Sequence, residues 1–216
     1  FESDEQAVER LLANVEGKPI NQVRQLKFKA GRRKQIWHKN CVAIGLSGGF
    51  LEPLESTSIS LIQSAIAKLL TFFPDKSFNP HDISEVNRLH NLEVEHVRDF
   101  IIMHYKLSAR DDSEFWRYCQ KMAIPETLEH KINLFKSRGH IVMHKDDSFE
   151  EASWLTMYNA FNIQPIRYDV RVDNMDLLVL KDNLAKMRQS LANAAEQAIS
   201  HQNFIEKHCR AVEPES

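Results

Sequence analysis

The sequence predicts a mainly α protein with a small β portion, an α+β chain, on three observations. Breakers are scarce: 6 glycines and 7 prolines stand in 216 residues, about half the roughly 12% of an average chain, which favours long helices over a turn-rich sandwich. From Ser56 onward the apolar residues recur at the helical period,. Strand-like patterning is confined to the stretch between Val23 and Gly45,.

Each element follows from its own signals. Ser3 and Gln6 stand at capping-box spacing before Val8, Leu11, Leu12 and Val15, and Gly17 with Pro19 closes that helix,. Residues 23–30 alternate in part and read as a strand, Gly31-Arg32-Arg33 as a turn, and Lys34 to His38 as the returning strand,. Cys41-Val42-Ala43-Ile44-Gly45 is short, apolar and bounded by Asn40, which fits a fully buried strand,. Ile59, Ile62, Ile66, Leu69, Leu70 and Phe73 form one helical stripe ended by Pro74,. Asp82 to Tyr105 reads as a long helix with Val86, Leu89, Val97, Phe100 and Ile101 inward. Helices are predicted at 113–122, 125–137, 148–161, 176–199 and 201–209, and Val212 to Ser216 as a fraying tail,.

Composition narrows the function classes. Hydrophobic residues at 43% and charged residues at 27% exclude a disordered or collagenous chain,. The formal charge of −2 gives no general nucleic-acid footprint,. No run approaches the ~20 apolar residues of a membrane helix, and no signal peptide opens the chain, so a cytoplasmic protein is expected. Cys41, Cys119 and Cys209 are odd in number and far apart, which suits reduced thiols and no metal site,.

The stretch CVAIGLSGGFLEPLESTSISLIQ, residues 41–63, carries the chemistry. A strand, a loop with Ser47-Gly48-Gly49 and a helix in succession point backbone N–H groups at an anion. Glu52 and Glu55 precede that helix; they complement its dipole, or hold a proton beside a ligand loop. Ser56 and Thr57 read first as capping residues.

Residues 31–63, GRRKQIWHKNCVAIGLSGGFLEPLESTSISLIQ, resemble the C-terminal half of the flavin-dependent tryptophan halogenases, with FLEPLESTSI the specific part. VRDFIIMHYKLSARDDSEFWRYC (97–119), Ser153-Trp154, Pro165 to Tyr168 and HQNFIEKHC (201–209) extend the likeness along essentially the whole chain. The resemblance implies the C-terminal part of a two-module FAD-dependent halogenase/monooxygenase fold. Residues 1–75 would belong to the FAD- and halide-binding module and 76–216 to a helical substrate module. Such an enzyme uses reduced FAD, oxygen and chloride or bromide to halogenate an indole-like aromatic, tryptophan or a derivative, with the oxidised halide passing to a lysine beside the substrate. A separate flavin reductase is implied as partner, and a homodimer stays open.

Carried over by motif, Glu55 is the catalytic carboxylate that touches the indole N–H. Thr57 and Ser58 fall where backbone amides hold the halide. Leu46, Ser56 and Ile59 fall at flavin positions, and Trp154 at a substrate-stacking tryptophan. The family's GxGxxG, its catalytic lysine and its WxWxIP motif do not occur in these 216 residues. The chain is therefore expected to be part of a protein roughly twice as long, and alone neither to hold FAD tightly nor to turn over. Ser58 stands where well-known members have glycine, and Ser153 where tryptophan-specific members have phenylalanine. The paired tyrosines upstream of that position are missing, so free tryptophan and other indoles both stay open. A related flavin monooxygenase and a non-catalytic helical interaction module are the alternatives.

Other clusters read as structural. Glu93 and His96 have di-iron spacing without the second copy a di-iron bundle needs,. His96 and His104 lie eight apart, with nothing to complete a zinc set,. Lys27, Lys29, Arg32, Arg33 and Lys34 suit a structural or cofactor-edge role, and Arg110-Asp111-Asp112 a salt-bridged loop before a helix.

Overall fold

A computed structural model describes residues 2–145 and 147–210; the predicted tail from Val212 to Ser216 lies outside them. The chain divides into two compact units, Phe1–Arg167 and Tyr168–Ser216. The first unit holds α1 (Asp4–Asn14), β1 (Gly31–Arg32), β2 (Trp37–His38), β3 (Cys41–Val42), β4 (Gly49–Phe50), α2 (Ser58–Thr71), α3 (Pro80–Lys106), α4 (Glu114–Lys121), α5 (Glu126–Arg138) and α6 (Glu151–Ala160). The second holds a 3-10 turn (Val170–Asn174), α7 (Leu177–Gln197) and α8 (His201–His208). The mainly helical class with a minor β part is the one the sequence predicts. Among the described residues no helix is long and apolar enough to cross a membrane.

The 27-residue α3 organises the first unit. Asn79 caps it by accepting from the His81 N–H at 2.9 Å, and Pro80 at the first helical position fits the start of a helix,. Its N-terminal half carries the β2–β3 hairpin: Ile36, Trp37 and Val86 are buried together. Asn87 fastens that contact, accepting from the Trp37 N–H and donating to the Trp37 carbonyl, both at 2.9 Å. Its C-terminal half packs Phe100 and Met103 against Leu128, Ile132 and Phe135 of α5 and Trp154 and Tyr158 of α6. Burying each large apolar side chain contributes about 1.5–3 kcal/mol, so this second cluster supplies much of the unit's stability.

The capping box of Ser3 and Gln6 forms, and each predicted helix is present within a few residues of its expected bounds. The strands differ. Residues 23–30 form no strand, Gly31–Arg32 is a strand instead of a turn, and only Trp37–His38 of the returning segment pairs. The run from Cys41 is a two-residue strand with Cys41 exposed, not a buried one, because it belongs to a hairpin laid on α3 rather than to the centre of a sheet. The α2 stripe also points differently. Ala65 is the buried residue of that helix, while Ile59, Ile66 and Leu70, with Phe73 just beyond it, lie at the surface.

The charged clusters are tied into the fold by ion pairs and hydrogen bonds. Glu93 pairs with Lys68 at 2.8 Å and accepts from Ser64. Arg32 donates to Asn91 at 2.7 Å and Glu95 at 2.5 Å. Arg110 bridges to Asp112 at 2.8 Å and lies over the Trp116 ring.

Candidate functional site

The loop from Gly45 to Thr57 is shaped by backbone requirements before any side chain acts. Gly45 sits at φ 67° and opens a 3-10 turn, Gly45–Ser47, a conformation open to glycine because it lacks a Cβ. At Gly49 an added Cβ would meet the Gly31 carbonyl oxygen at 2.7 Å, so β4 can lie against β1 only without a side chain there. Arg33 ties the two segments by donating its N–H to the Gly48 carbonyl at 2.8 Å and its Nε–H to the Ser47 carbonyl at 2.5 Å.

Beyond Pro53 the chain turns through Leu54–Ser56 and enters α2. Glu55 has φ 66° and Ser56 φ 51°, two successive non-glycine residues in the left-handed region. Each such residue costs on the order of 1–3 kcal/mol and persists only where the surroundings fix it. Thr57, the residue before α2, makes no side-chain cap, and no acidic residue stands in the first turn of the helix. The leading amides of α2 therefore lack a side-chain acceptor, and such amides favour an anion.

Thr57 and Ser58 line a cavity of about 70 Å³ together with Gly45, Leu46, Gly48, Gly49, Ile62 and His90. That is room for a few waters or a small ion. Thr57 is buried, whereas Leu46 stays 80% exposed at the rim. His90 is buried, its Nδ1 takes no hydrogen bond, and burial lowers its pKa against the opposing charge of Glu93. Arg32 also lines the cavity, with its guanidinium engaged by Asn91 and Glu95.

Two neighbouring side chains at the end of α3 hold the strained turn. His104 Nε2 lies 2.8 Å from Glu55 Oε1, and its Nδ1 lies 2.8 Å from the Phe100 carbonyl oxygen. Tyr105 donates its hydroxyl to Glu52 Oε1 at 2.8 Å. Burial, with the hydrogen bond and charge of Glu52, pushes the Tyr105 hydroxyl up to about 12, so it stays a donor. The Glu55 side chain is 33% exposed, neither locked in a dry core nor fully in solvent.

The sequence-predicted residues thus fall into four places. Thr57, Ser58 and Leu46 meet at one cavity. Glu55 and Ser56 form the strained turn beside it, and Ile59 stands on the open face of α2. Trp154 is 1% exposed inside the α3–α5–α6 core, with Phe100 at 5.0 Å edge-on and Lys131 Nζ 4.2 Å from its ring centre. It presents no face to the surface. Among the described residues no three His, Cys, Asp or Glu side chains gather as a metal set. The sequence reading gives neither His104 nor Tyr105 a role at the site: His104 is weighed there for its spacing from His96, and Tyr105 appears as the end of a helix. The signal for both is a pair of polar rings at adjacent positions directly after the apolar run Phe100–Met103.

Comparison with known proteins places the chain in a family. The tryptophan halogenase family profile matches residues 1–177. Tryptophan 7-halogenase KtzQ of Kutzneria sp. (strain 744) is 36% identical over 138 residues, covering 63% of this chain and 26% of that protein. Tryptophan 7-halogenase RebH of Lentzea aerocolonigenes is 38% identical over 122 residues, covering 56% of this chain and 22% of that protein. Among solved structures, BrvH, a flavin-dependent halogenase from Brevundimonas sp. BAL3, superposes with a TM-score of 0.89 at 46% identity, over 95% of this chain and 42% of that one. A flavin-dependent halogenase from Xanthomonas campestris superposes at 0.91 and 36% identity, over 100% of this chain and 43% of that one. The chain spans about a quarter of the curated relatives it matches and under half of the solved ones.

Proposed function

The chain belongs to the tryptophan halogenase family, and from that premise we propose that it supplies the halide- and substrate-facing part of a flavin-dependent halogenase acting on an indole-like aromatic. One observation carries the reading. An uncapped helix start at Thr57 and Ser58 opens on a small cavity, one strained turn away from a half-buried carboxylate.

In this reading the first amides of α2 hold chloride or bromide by their N–H groups. Leu46, Ser56 and Ile59 border the ring of FAD, and the fit rests on the glycine-shaped cavity rim and the exposed Leu46. Reduced FAD, delivered by a flavin reductase, would activate oxygen, and oxygen would supply the oxidising equivalent for the halide. Glu55 faces the electron-rich ring, accepts the hydrogen bond of the indole N–H and stabilises positive charge as the ring is attacked. Trp154 contributes from behind, as part of the wall that seats Phe100 and, through it, His104. Residues 1–75 serve the cofactor and halide and bring Glu55 to the substrate, and residues 76–216 form the helical substrate module.

The test uses the protein that carries this chain, with reduced FAD, oxygen and chloride or bromide, and reads the product mass from tryptophan and simpler indoles. A halogenated product that requires halide is expected. Glu55→Gln should lower its formation at least a hundredfold while FAD affinity changes less than threefold. A hydroxylated product formed without halide would replace this reading with a monooxygenase. An equal loss of turnover and FAD affinity would make Glu55 architectural.

A further inference from the structure

Glu55 has a partner that the sequence reading does not give it, and the contacts of that partner fix where its protons lie. The Phe100 carbonyl can only accept, so His104 Nδ1, 2.8 Å away, must carry a hydrogen,. At the other ring nitrogen, Nε2 stands 2.8 Å from Glu55 Oε1. A carboxylate there requires a proton on Nε2, and a bare Nε2 requires a proton on the carboxyl. Both arrangements place one proton between the two atoms, and both engage Oε1. Among the described residues Oε2 takes no other hydrogen bond. The imidazole itself is fixed from three sides: by the Phe100 carbonyl, by the Phe100 ring edge-on at 5.1 Å and by the Phe161 ring edge-on at 6.4 Å.

We propose that His104 is the positioning residue of Glu55, sharing a single proton between Nε2 and Oε1 and leaving Oε2 as the oxygen offered to the substrate. The strained backbone at Glu55 and Ser56 gives this contact its use. A turn in the left-handed region at two successive residues needs an outside anchor, and the imidazole of α3 supplies one at the functional carboxyl itself,. Tyr105 anchors the preceding carboxylate, Glu52, from the next position on the same helix. The proton count of the pair is the same in either form, so the carboxyl is held without a further ion. The inference about substrate rests on the proposed halogenase function; the shared proton rests on the geometry alone.

The first measurement is long-range 1H–15N correlation on the protein that carries this chain, labelled with 15N-histidine and assigned through His104→Gln. A His104 ring that carries a hydrogen at Nδ1, whether or not Nε2 also carries one, is expected. A neutral ring protonated at Nε2 would overturn the proposal. The second is kinetic. His104→Gln keeps a neutral donor toward Glu55 but cannot carry the shared proton. Its kcat should fall about tenfold or more, with KM and FAD affinity within about twofold. A matching rise in KM or loss of FAD affinity would reduce His104 to scaffolding. If the wild-type protein halogenates no indole while the Nδ1–H tautomer is present, the functional reading falls and the shared proton stands.

Discussion

Helix α3 makes two histidine–carboxylate pairs, eight residues apart, and they do different work. His96 Nδ1 meets Asp147 at 2.5 Å, in a place where the carboxylate is 3% exposed. His104 Nε2 meets Glu55 at 2.8 Å, where the carboxylate is 33% exposed. The buried pair is also the richer one. Lys131, itself 3% exposed, lies 3.2 Å from Asp147, and the His144 N–H donates to the same carboxylate at 3.0 Å. Together these contacts hold the segment before α6 against α3 and α5. The half-exposed pair makes no ion pair to a third residue among the described residues and sits on strained backbone. One carboxylate is enclosed by two cationic or ionisable partners and a backbone N–H inside the fold, and the other keeps an oxygen in reserve. Burial, not residue type, separates a structural pair from one available for chemistry.

The comparison breaks first at Asp147. Asp147→Asn leaves the Lys131 ammonium buried with no counter-charge, and should destabilise the chain by about 3–5 kcal/mol in urea unfolding. Glu55→Gln, at a partly solvated pair, should change stability by less than about 1 kcal/mol. Equal effects would mean the two pairs are not different in kind. A titration sharpens the same point. Burial would raise the Asp147 carboxyl, but hydrogen bonds from His96 and the His144 N–H, with the charge of Lys131, hold it at about 2 against an ordinary 3.8. The unfolded chain therefore binds this proton first. The contribution of Asp147, about 2 kcal/mol, is fully present above about pH 4 and is lost as the pH falls toward about 2. Urea midpoints measured between pH 5 and pH 2.5 should drop more steeply for the wild type than for Asp147→Asn.

What was legible in the sequence divides along the same line. Helices announced themselves through local signals: the Ser3–Gln6 capping box, Pro80 after its Asn79 cap, and Pro74 after the α2 stripe. The strands did not, because their extent is set by tertiary partners. Trp37 and Val42 pair only as far as Asn87 and Val86 of α3 receive them. The direction of the α2 stripe was also hidden. Its period is helical, but a period does not say which face meets the rest of the chain, and Ala65 faces inward while Ile59 and Leu70 face out,. At the candidate site, FLEPLESTSI marked the loop by resemblance and the helix start by physics. The left-handed turn at Glu55 and Ser56 and its anchors on α3 lie 49 to 53 residues away in sequence, a separation that no local pattern spans. Asp147 was missed for the same reason, since its partners sit on α3 and α5.

The smallest expected effect is a gain. If strain at the turn is kept for function, relieving it should stabilise the chain. Ser56 at φ 51° carries a hydroxyl that makes no hydrogen bond among the described residues. Glycine adopts that conformation freely, while an L-residue there is disfavoured by roughly 1–2 kcal/mol. Glycine also gives the unfolded chain more freedom, which offsets part of the gain. Ser56→Gly should therefore raise stability by about 0.5–1 kcal/mol, read as a shift of the urea midpoint at constant slope. At the buried pair the same kind of change has nothing to release, since no left-handed residue stands at His96 or Asp147. If Ser56→Gly destabilised the chain instead, the turn would be held by local packing of the serine, and the clamp from His104 and Tyr105 would not be what fixes it.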